Sequence, residues 1–250
     1  MSLSKNKIKY ITSLKERKFR NQHQTFVAEG SKLISDLLQN MKCQLLVLSE
    51  NMKDTFIESD VEELIIATPS EIKKTSHLAS PPDAIGVFYQ FHYTYSKTES
   101  KNKLNLVLDG IQDPGNLGTI IRIADWFGIE YIFCSNDTVD VYNTKTVQAT
   151  MGALSRVKIH YTNISDIITQ HPDSPIYGTF LDGENIYQQP LSSEGFIVIG
   201  NEGKGIRPEI EKLITNRLYI PNFSTNSNTS ESLNVAVATA VVCSEFKRRG

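Results

Sequence analysis

Leu104-Asn-Leu-Val-Leu-Asp-Gly-Ile-Gln-Asp-Pro-Gly-Asn-Leu-Gly-Thr-Ile-Ile-Arg-Ile-Ala-Asp-Trp-Phe-Gly128 reads as a strand, a turn and a helix in succession. The apolar run Leu104–Leu108 has strand length and stops at Asp109-Gly110. Asp113-Pro-Gly-Asn116 is a turn, Leu117 to Phe127 has helical spacing, and Gly128 suits a helix C-terminus. Similar apolar runs recur downstream at Tyr131–Cys134, Val157–His160, Ile176–Leu181, Phe196–Ile199 and Leu218–Ile220. Helical stretches lie between them, one at Thr144–Leu154. Apolar strands bounded by turn residues suit a parallel sheet covered on both faces. The chain closes on a helix of small residues, Val235 to Phe246.

Upstream the same alternation appears on a smaller scale. Lys5 to Asn21 reads as a basic helix, Thr25–Glu29 as a strand, and Ser31 as the cap of a helix carrying Leu33, Ile34, Leu37 and Leu38. Strands follow at Leu45–Leu48, Leu64–Ala67 and Ile85–Tyr89, with a helix opening at Pro69-Ser70. Alternating strands and helices place the chain in the α/β class. Tyr93 to Lys103 is polar and reads as a linker. The expectation is a unit over 1–92, a linker over 93–103 and a second unit over 104–250.

The net charge of -2 gives no global argument for a polyanionic partner, but its distribution is uneven. Lys5, Lys7, Lys9, Lys15, Arg17, Lys18 and Arg20 crowd the first twenty residues against Glu16 alone. This pattern suits either a solvated helix face or an RNA contact. Cys43, Cys134 and Cys243 have no metal-ligand spacing and read as buried thiols in a reducing compartment. No apolar core of a secretory signal follows the basic N-terminus. The apolar run Val235–Cys243 is far short of the roughly 20 residues a membrane helix needs. A cytoplasmic protein with no membrane or metal partner is expected.

Three segments join an apolar run to polar residues and glycine. In Asn116 to Arg122, glycines on either side of Asn116 let backbone approach a ligand, and Arg122 offers a planar donor fork suited to phosphate. A helix cap with a surface arginine would look the same. Gly200-Asn-Glu-Gly-Lys-Gly205 follows a fully apolar strand; it fits backbone wrapped round a ligand, or a tight turn. It lacks the spacing of a phosphate-binding Walker loop, and the chain has no Gly-x-Gly-x-x-Gly dinucleotide fingerprint. In the third segment, Ser232 and Asn234 bracket Leu233 at the start of the last helix, beside Ala236, Ala238 and Ala240.

Together, Asp113 to Gly128, Ile197 to Gly205, and Ile220-Pro with Ser232 to Ala238 resemble the three motifs of the SpoU (TrmH) family of RNA 2'-O-ribose methyltransferases, in the SPOUT superfamily. The resemblance covers 104–247. Leu14-Lys-Glu-Arg-Lys-Phe-Arg20 with Phe26-Val-Ala-Glu-Gly30 also looks like the small substrate-binding domain often fused to these enzymes.

The resemblance implies an α/β methyltransferase domain with a deep trefoil knot, a small N-terminal α/β RNA-binding domain, and a homodimer. It implies S-adenosylmethionine as cofactor, contacted by Thr179, Leu181, Gly200, Ile220 and Leu233. It gives catalytic roles to Asn116, Arg122, Glu202, Ser232 and Asn234. Arginine stays protonated in proteins, so Arg122 suits a phosphate or oxyanion clamp better than a general base. Glu202 is expected to pair with Arg122 or a backbone amide. Lys15, Arg17, Lys18 and Arg20 become the expected RNA contacts, with ribosomal RNA favoured over transfer RNA. A non-catalytic RNA-binding assembly factor would share the fold but not need the retained motif residues. One departure is the Ser-, Thr- and Asn-rich stretch 223–230, which makes the connection from Ile220 to Ser232 longer than the family pattern implies.

Overall fold

The computed structural model describes residues 3–56, 61–224 and 232–249. The chain forms two compact units, Met1–His92 with Asp140–Arg156, and Tyr93–Val139 with Val157–Gly250.

In the first unit the elements are α1 (Lys5–Ser13), α2 (Arg17–His23), β1 (Thr25–Glu29), α3 (Ser31–Leu38), β2 (Cys43–Ser49), β3 (Val61–Ala67), α4 (Pro69–Thr75) and β4 (Ala84–Tyr89). The sheet order is β1-β4-β2-β3, with only β2 and β3 parallel. Ile11, Leu14, Val27, Val47, Ile65, Ile85 and Val87 share one apolar core.

The expected single basic helix is two helices. The break has a cause in Arg20, whose Nη1 donates to the carbonyls of Leu14 and Lys15 at 2.9 and 2.7 Å. These carbonyls end α1 and would otherwise lack partners. Nε and Nη2 of Arg20 bond Asp140, at 3.1 and 2.5 Å. Arg20 is only 2 % exposed. It is therefore a structural arginine and does not present itself to RNA, contrary to expectation. Asp140–Arg156 also supplies Tyr142, stacked on Phe26 at 4.9 Å, so this segment belongs with the first unit and not with the second as sequence spacing implied.

The second unit contains α5 (Lys97–Ser100), β5 (Leu104–Asp109), α6 (Pro114–Trp126) and β6 (Tyr131–Ser135). The chain then forms α7 (Thr144–Thr150) in the first unit. It returns as β7 (Lys158–Thr162), α8 (Ile164–Thr169), β8 (Ile176–Asn185), β9 (Gly195–Gly200), α9 (Pro208–Glu211), β10 (Asn216–Tyr219) and α10 (Val235–Arg249). The sheet order is β10-β8-β9-β5-β6-β7, and every pair is parallel. All residues of β5, β6 and β9 are buried, as expected for strands covered on both faces. Strand order turns about β5: β6 and β7 extend one way, β9 the other. Crevices at the carboxyl ends beside such a reversal are where α/β sheets receive ligands.

The expected linker is part of this second unit. It carries α5, and Tyr95 packs edge-on against Phe133 at 5.1 Å. The Tyr95 hydroxyl lies 2.8 Å from Ser100 Oγ and 3.1 Å from His171 Nε2. The three cysteines are free and buried, and burial pushes the thiols of Cys43 and Cys243 up to about 12. No described helix is long and apolar enough to cross a membrane, and no described group of His, Cys, Asp or Glu could hold a metal ion. Most of the stretch 223–230 lies outside the described residues.

Candidate active site

Asp113 sets up the first motif. Its Oδ1 accepts from the Asn116 amide at 2.8 Å, capping α6, and Pro114 occupies the first turn where no amide is needed. Asn116 thus stands at the helix start with its side chain free for tertiary contacts. Its Nδ2 donates to Glu202 Oε1 at 3.1 Å, and its Oδ1 accepts from Asn234 Nδ2 at 3.0 Å. One residue from each of the three segments therefore joins a single hydrogen-bonded relay, Glu202–Asn116–Asn234.

The Glu202 end is fixed by backbone. Its carboxylate accepts from the amides of Gln112 and Asp113, at 3.4 and 3.5 Å. The sequence left open whether Glu202 would pair with Arg122 or an amide; amides hold it. The neighbouring Asn201 closes a small ring: Asn201 and Gly205 exchange backbone bonds at 3.0 and 2.9 Å. Asn201 Oδ1 accepts from the amides of Gly203 and Lys204, both at 3.0 Å. Its Nδ2 donates to the Gly110 carbonyl at 2.7 Å, stitching the ring to the end of β5. Glycine at 200 is required, since a Cβ there would stand 2.4 Å from the backbone of Gly205 and Ile206. At the third segment, Asn234 Oδ1 accepts from the amides of Ala236 and Val237 and so caps α10, which packs on α6.

Arg122 lies two turns along α6 from Asn116, exposed and with no partner among the described residues. Ser232 is exposed, two positions before Asn234. Lys15, Arg17 and Lys18 are exposed on the first unit.

Thr179, on β8, places its hydroxyl 3.5 Å from the Val198 carbonyl of β9; Gly200 ends β9 and Ile220 follows β10. Leu181 is 69 % exposed, Leu233 51 % and Phe223 80 %. Large apolar side chains left in water beside polar loops suit the adenosine and the aliphatic chain of a sulfonium ligand, and Gly200 admits backbone approach without a side chain in the way. The residues present therefore fit S-adenosylmethionine.

Sequence reasoning missed a second clasp. Asp109, fully buried at the end of β5, accepts from the Arg207 amide at 2.8 Å and from its Nε at 2.6 Å, and pairs with Nη2. Arg207 Nη2 also donates to Asp137 Oδ1 at 3.1 Å. The hydrogen bond from Ser135, with Arg207 nearby, holds the Asp137 carboxyl below its ordinary range, while Asp109 raises Arg207. An acid ending an apolar strand, and an arginine just after the glycine ring, were the available signals.

The SpoU rRNA Methylase family model matches residues 103–244, and the MRM3-like substrate binding domain model matches 5–86. The 23S rRNA (guanosine(2553)-2'-O)-methyltransferase RlmP of Bacillus subtilis is 29 % identical over 96 % of both chains. A TrmH-family structure from Porphyromonas gingivalis is 39 % identical over 99 % of both chains, with a TM-score of 0.88. An AdoMet-bound rRNA methyltransferase from Sinorhizobium meliloti is 27 % identical, covering 100 % of this chain and 98 % of its own, with a TM-score of 0.84. With the family model spanning more than half its length and all three motifs tied into one relay, this chain belongs to the SpoU rRNA methylase family.

Proposed function

We propose that this protein transfers the methyl group of S-adenosylmethionine to a ribose 2'-hydroxyl of ribosomal RNA. The Glu202–Asn116–Asn234 relay carries the reading, because it joins the polar residues of all three motifs. The names of RlmP and of RlmB from Neisseria meningitidis, 33 % identical over 60 % of both chains, both specify guanosine 2'-O-methylation of 23S rRNA.

The cofactor, when bound, supplies an electrophilic sulfonium methyl; Thr179, Leu181, Gly200, Ile220 and Leu233 would hold it. Reaction then depends on alignment, and well-oriented reactants can gain roughly 7 to 11 kcal/mol. Asn116, Ser232 and Asn234 orient the ribose. The Glu202 carboxylate, anchored by two amides, keeps the relay in register and favours positive charge nearby. Arg122, with its donors uncommitted, holds the adjacent phosphate and stabilises oxyanion character on the hydroxyl oxygen. Lys15, Arg17 and Lys18 contact RNA phosphates.

The protein acts as a homodimer. Trp126, 84 % exposed at the end of α6, and Val237, exposed on α10, which packs on α6, are apolar side chains left in water that a second copy would cover. Sedimentation should give a dimer that Trp126→Ala weakens; a monomer in both cases would reject this.

The test of function is transfer from labelled S-adenosylmethionine into total RNA of a strain lacking the gene. Label in ribosomal RNA at an alkali-resistant linkage is expected. The Arg122→Ala variant should lose transfer and keep cofactor binding. Unchanged turnover would remove Arg122 from the mechanism.

A further inference from the structure

A cleft of about 370 Å³ opens at the carboxyl ends of β6 and β7, lined among others by Asn136, Asp137, Thr162, Asn163, Arg207 and Glu209. It lies on the β6–β7 side of the β5 reversal, away from the strand ends that carry Gly200 and Ile220. One residue links it to the relay. The Gln112 amide donates to Glu202, while its Nε2 donates to the Asp137 carbonyl at 2.8 Å. A single side chain therefore spans from the relay to the wall of the cleft.

The lining has a particular hydrogen-bonding character. Arg207 is immobilised by Asp109 and Asp137 through Nε and Nη2, yet Nη1 has no partner among the described residues and the side chain is 42 % exposed. An arginine held in this way is pre-organised to donate, without losing rotamer freedom on binding. Glu209 is exposed and also has no partner among the described residues. The carboxylates of Asp137 and Glu209 outnumber Arg207 in the lining, so a phosphate is poorly matched. A neutral ligand carrying an acceptor beside two donors is well matched, and among nucleobases guanine presents that edge: O6, then N1–H and N2–H.

We propose that this cleft binds the guanine base of the nucleotide that is methylated, with Arg207 Nη1 donating to O6 and the Glu209 carboxylate accepting from N1–H and N2–H. Asn136 and Asn163 supply further polar edges. The inference rests on the methyltransferase reading and adds to it the place where the target base is read and the residues that read it.

The test uses the full chain saturated with S-adenosylhomocysteine. Guanosine, adenosine, cytidine and uridine 5'-monophosphates, and inorganic phosphate, are titrated separately while amide shifts are followed at 135–137, 162–165 and 207–210. The guanosine nucleotide should shift these amides and bind about tenfold tighter than the others, and Glu209→Gln should remove that preference with S-adenosylhomocysteine affinity unchanged. The proposal is overturned if no nucleotide shifts the cleft, if phosphate alone reproduces the shifts, if another base is preferred, or if Glu209→Gln retains the preference. Absent S-adenosylhomocysteine binding would instead reject the methyltransferase reading itself, so the two failures are distinguishable.

Discussion

Asn234 donates its side-chain amide to the side-chain carbonyl of Asn116 at 3.0 Å, across 118 positions of sequence. Because Asn116 also donates to Glu202, it is the only member of the relay bonded to both others.

Asn116→Ala should therefore break the site in two places at once. Turnover is expected to fall by about 10²- to 10³-fold, the scale of losing one preorganised donor. Cofactor affinity should hardly change, because Asn116 is not among the residues placed around the adenosine. Single-turnover transfer and equilibrium binding, measured separately, check this. Near-normal turnover would show that the relay is structural.

The basic residues of the first unit divide into two kinds. Arg20→Ala leaves Asp140 without its cation and the carbonyls at the end of α1 without a donor, and should cost about 3 to 5 kcal/mol in denaturant unfolding. Replacing Lys15, Arg17 and Lys18 together by alanine should shift stability by no more than about 0.5 kcal/mol per site. RNA binding should weaken instead, with the salt slope reduced by roughly 0.7 to 0.9 for each phosphate that is no longer neutralised. An unchanged slope would show that these three residues do not touch RNA.

Two glycines of one ring should respond differently. A Cβ at Gly200 meets backbone at 2.4 Å, whereas at Gly203 the nearest atom is Asn201 Oδ1 at 3.8 Å. Gly200→Ala is expected to cost about 1 to 3 kcal/mol and to displace Glu202, lowering turnover. Gly203→Ala should be tolerated. Equal activity in the two variants would contradict the close approach.

His160 Nε2 is buried without a hydrogen-bond partner among the described residues, and the ring stacks near Tyr131 and Phe133. Burial, then Lys158, lowers its pKa. Below about pH 6.5 the unfolded chain takes up a proton that the folded chain refuses. Its contribution to stability is thus complete above that pH and is lost as pH falls toward the lowered folded value. His77, also lowered by burial, acts in the same direction in the first unit. Unfolding measured from pH 8 to 5 should show this slope, and His160→Phe should flatten it. A slope identical in the variant would show that His160 titrates normally in the fold.

Much of this architecture was legible because the informative strands are almost wholly apolar, with Asn105 the exception in β5. Runs such as Leu104–Leu108 and Phe196–Ile199 can only be interior, and the turn residues after them mark the carboxyl ends where the motifs lie. The break between α1 and α2 was hidden, because Arg20 reads as one more surface cation until its partner Asp140 is brought to it by the fold. The polar stretch 93–103 misled for a similar reason: Tyr95 and Ser100 meet His171, which is remote in sequence. In the site, the polar motif residues could be picked out individually, but the order Glu202–Asn116–Asn234 could not. The Asp109–Arg207 clasp depends on strand register and left only a weak trace in the sequence.

The grouping of Asp140–Arg156 with the first unit bears on how the protein is made. Translation delivers Arg20 and Phe26 early, but their partners Asp140 and Tyr142 emerge only after β5, α6 and β6 have been synthesised. A nascent chain halted at residue 92 would carry an unneutralised arginine, and Phe26 would keep its stack on Phe88 but lack the one on Tyr142. The core of the N-terminal unit can assemble from its own residues, but its last contacts wait for a segment encoded within the catalytic half.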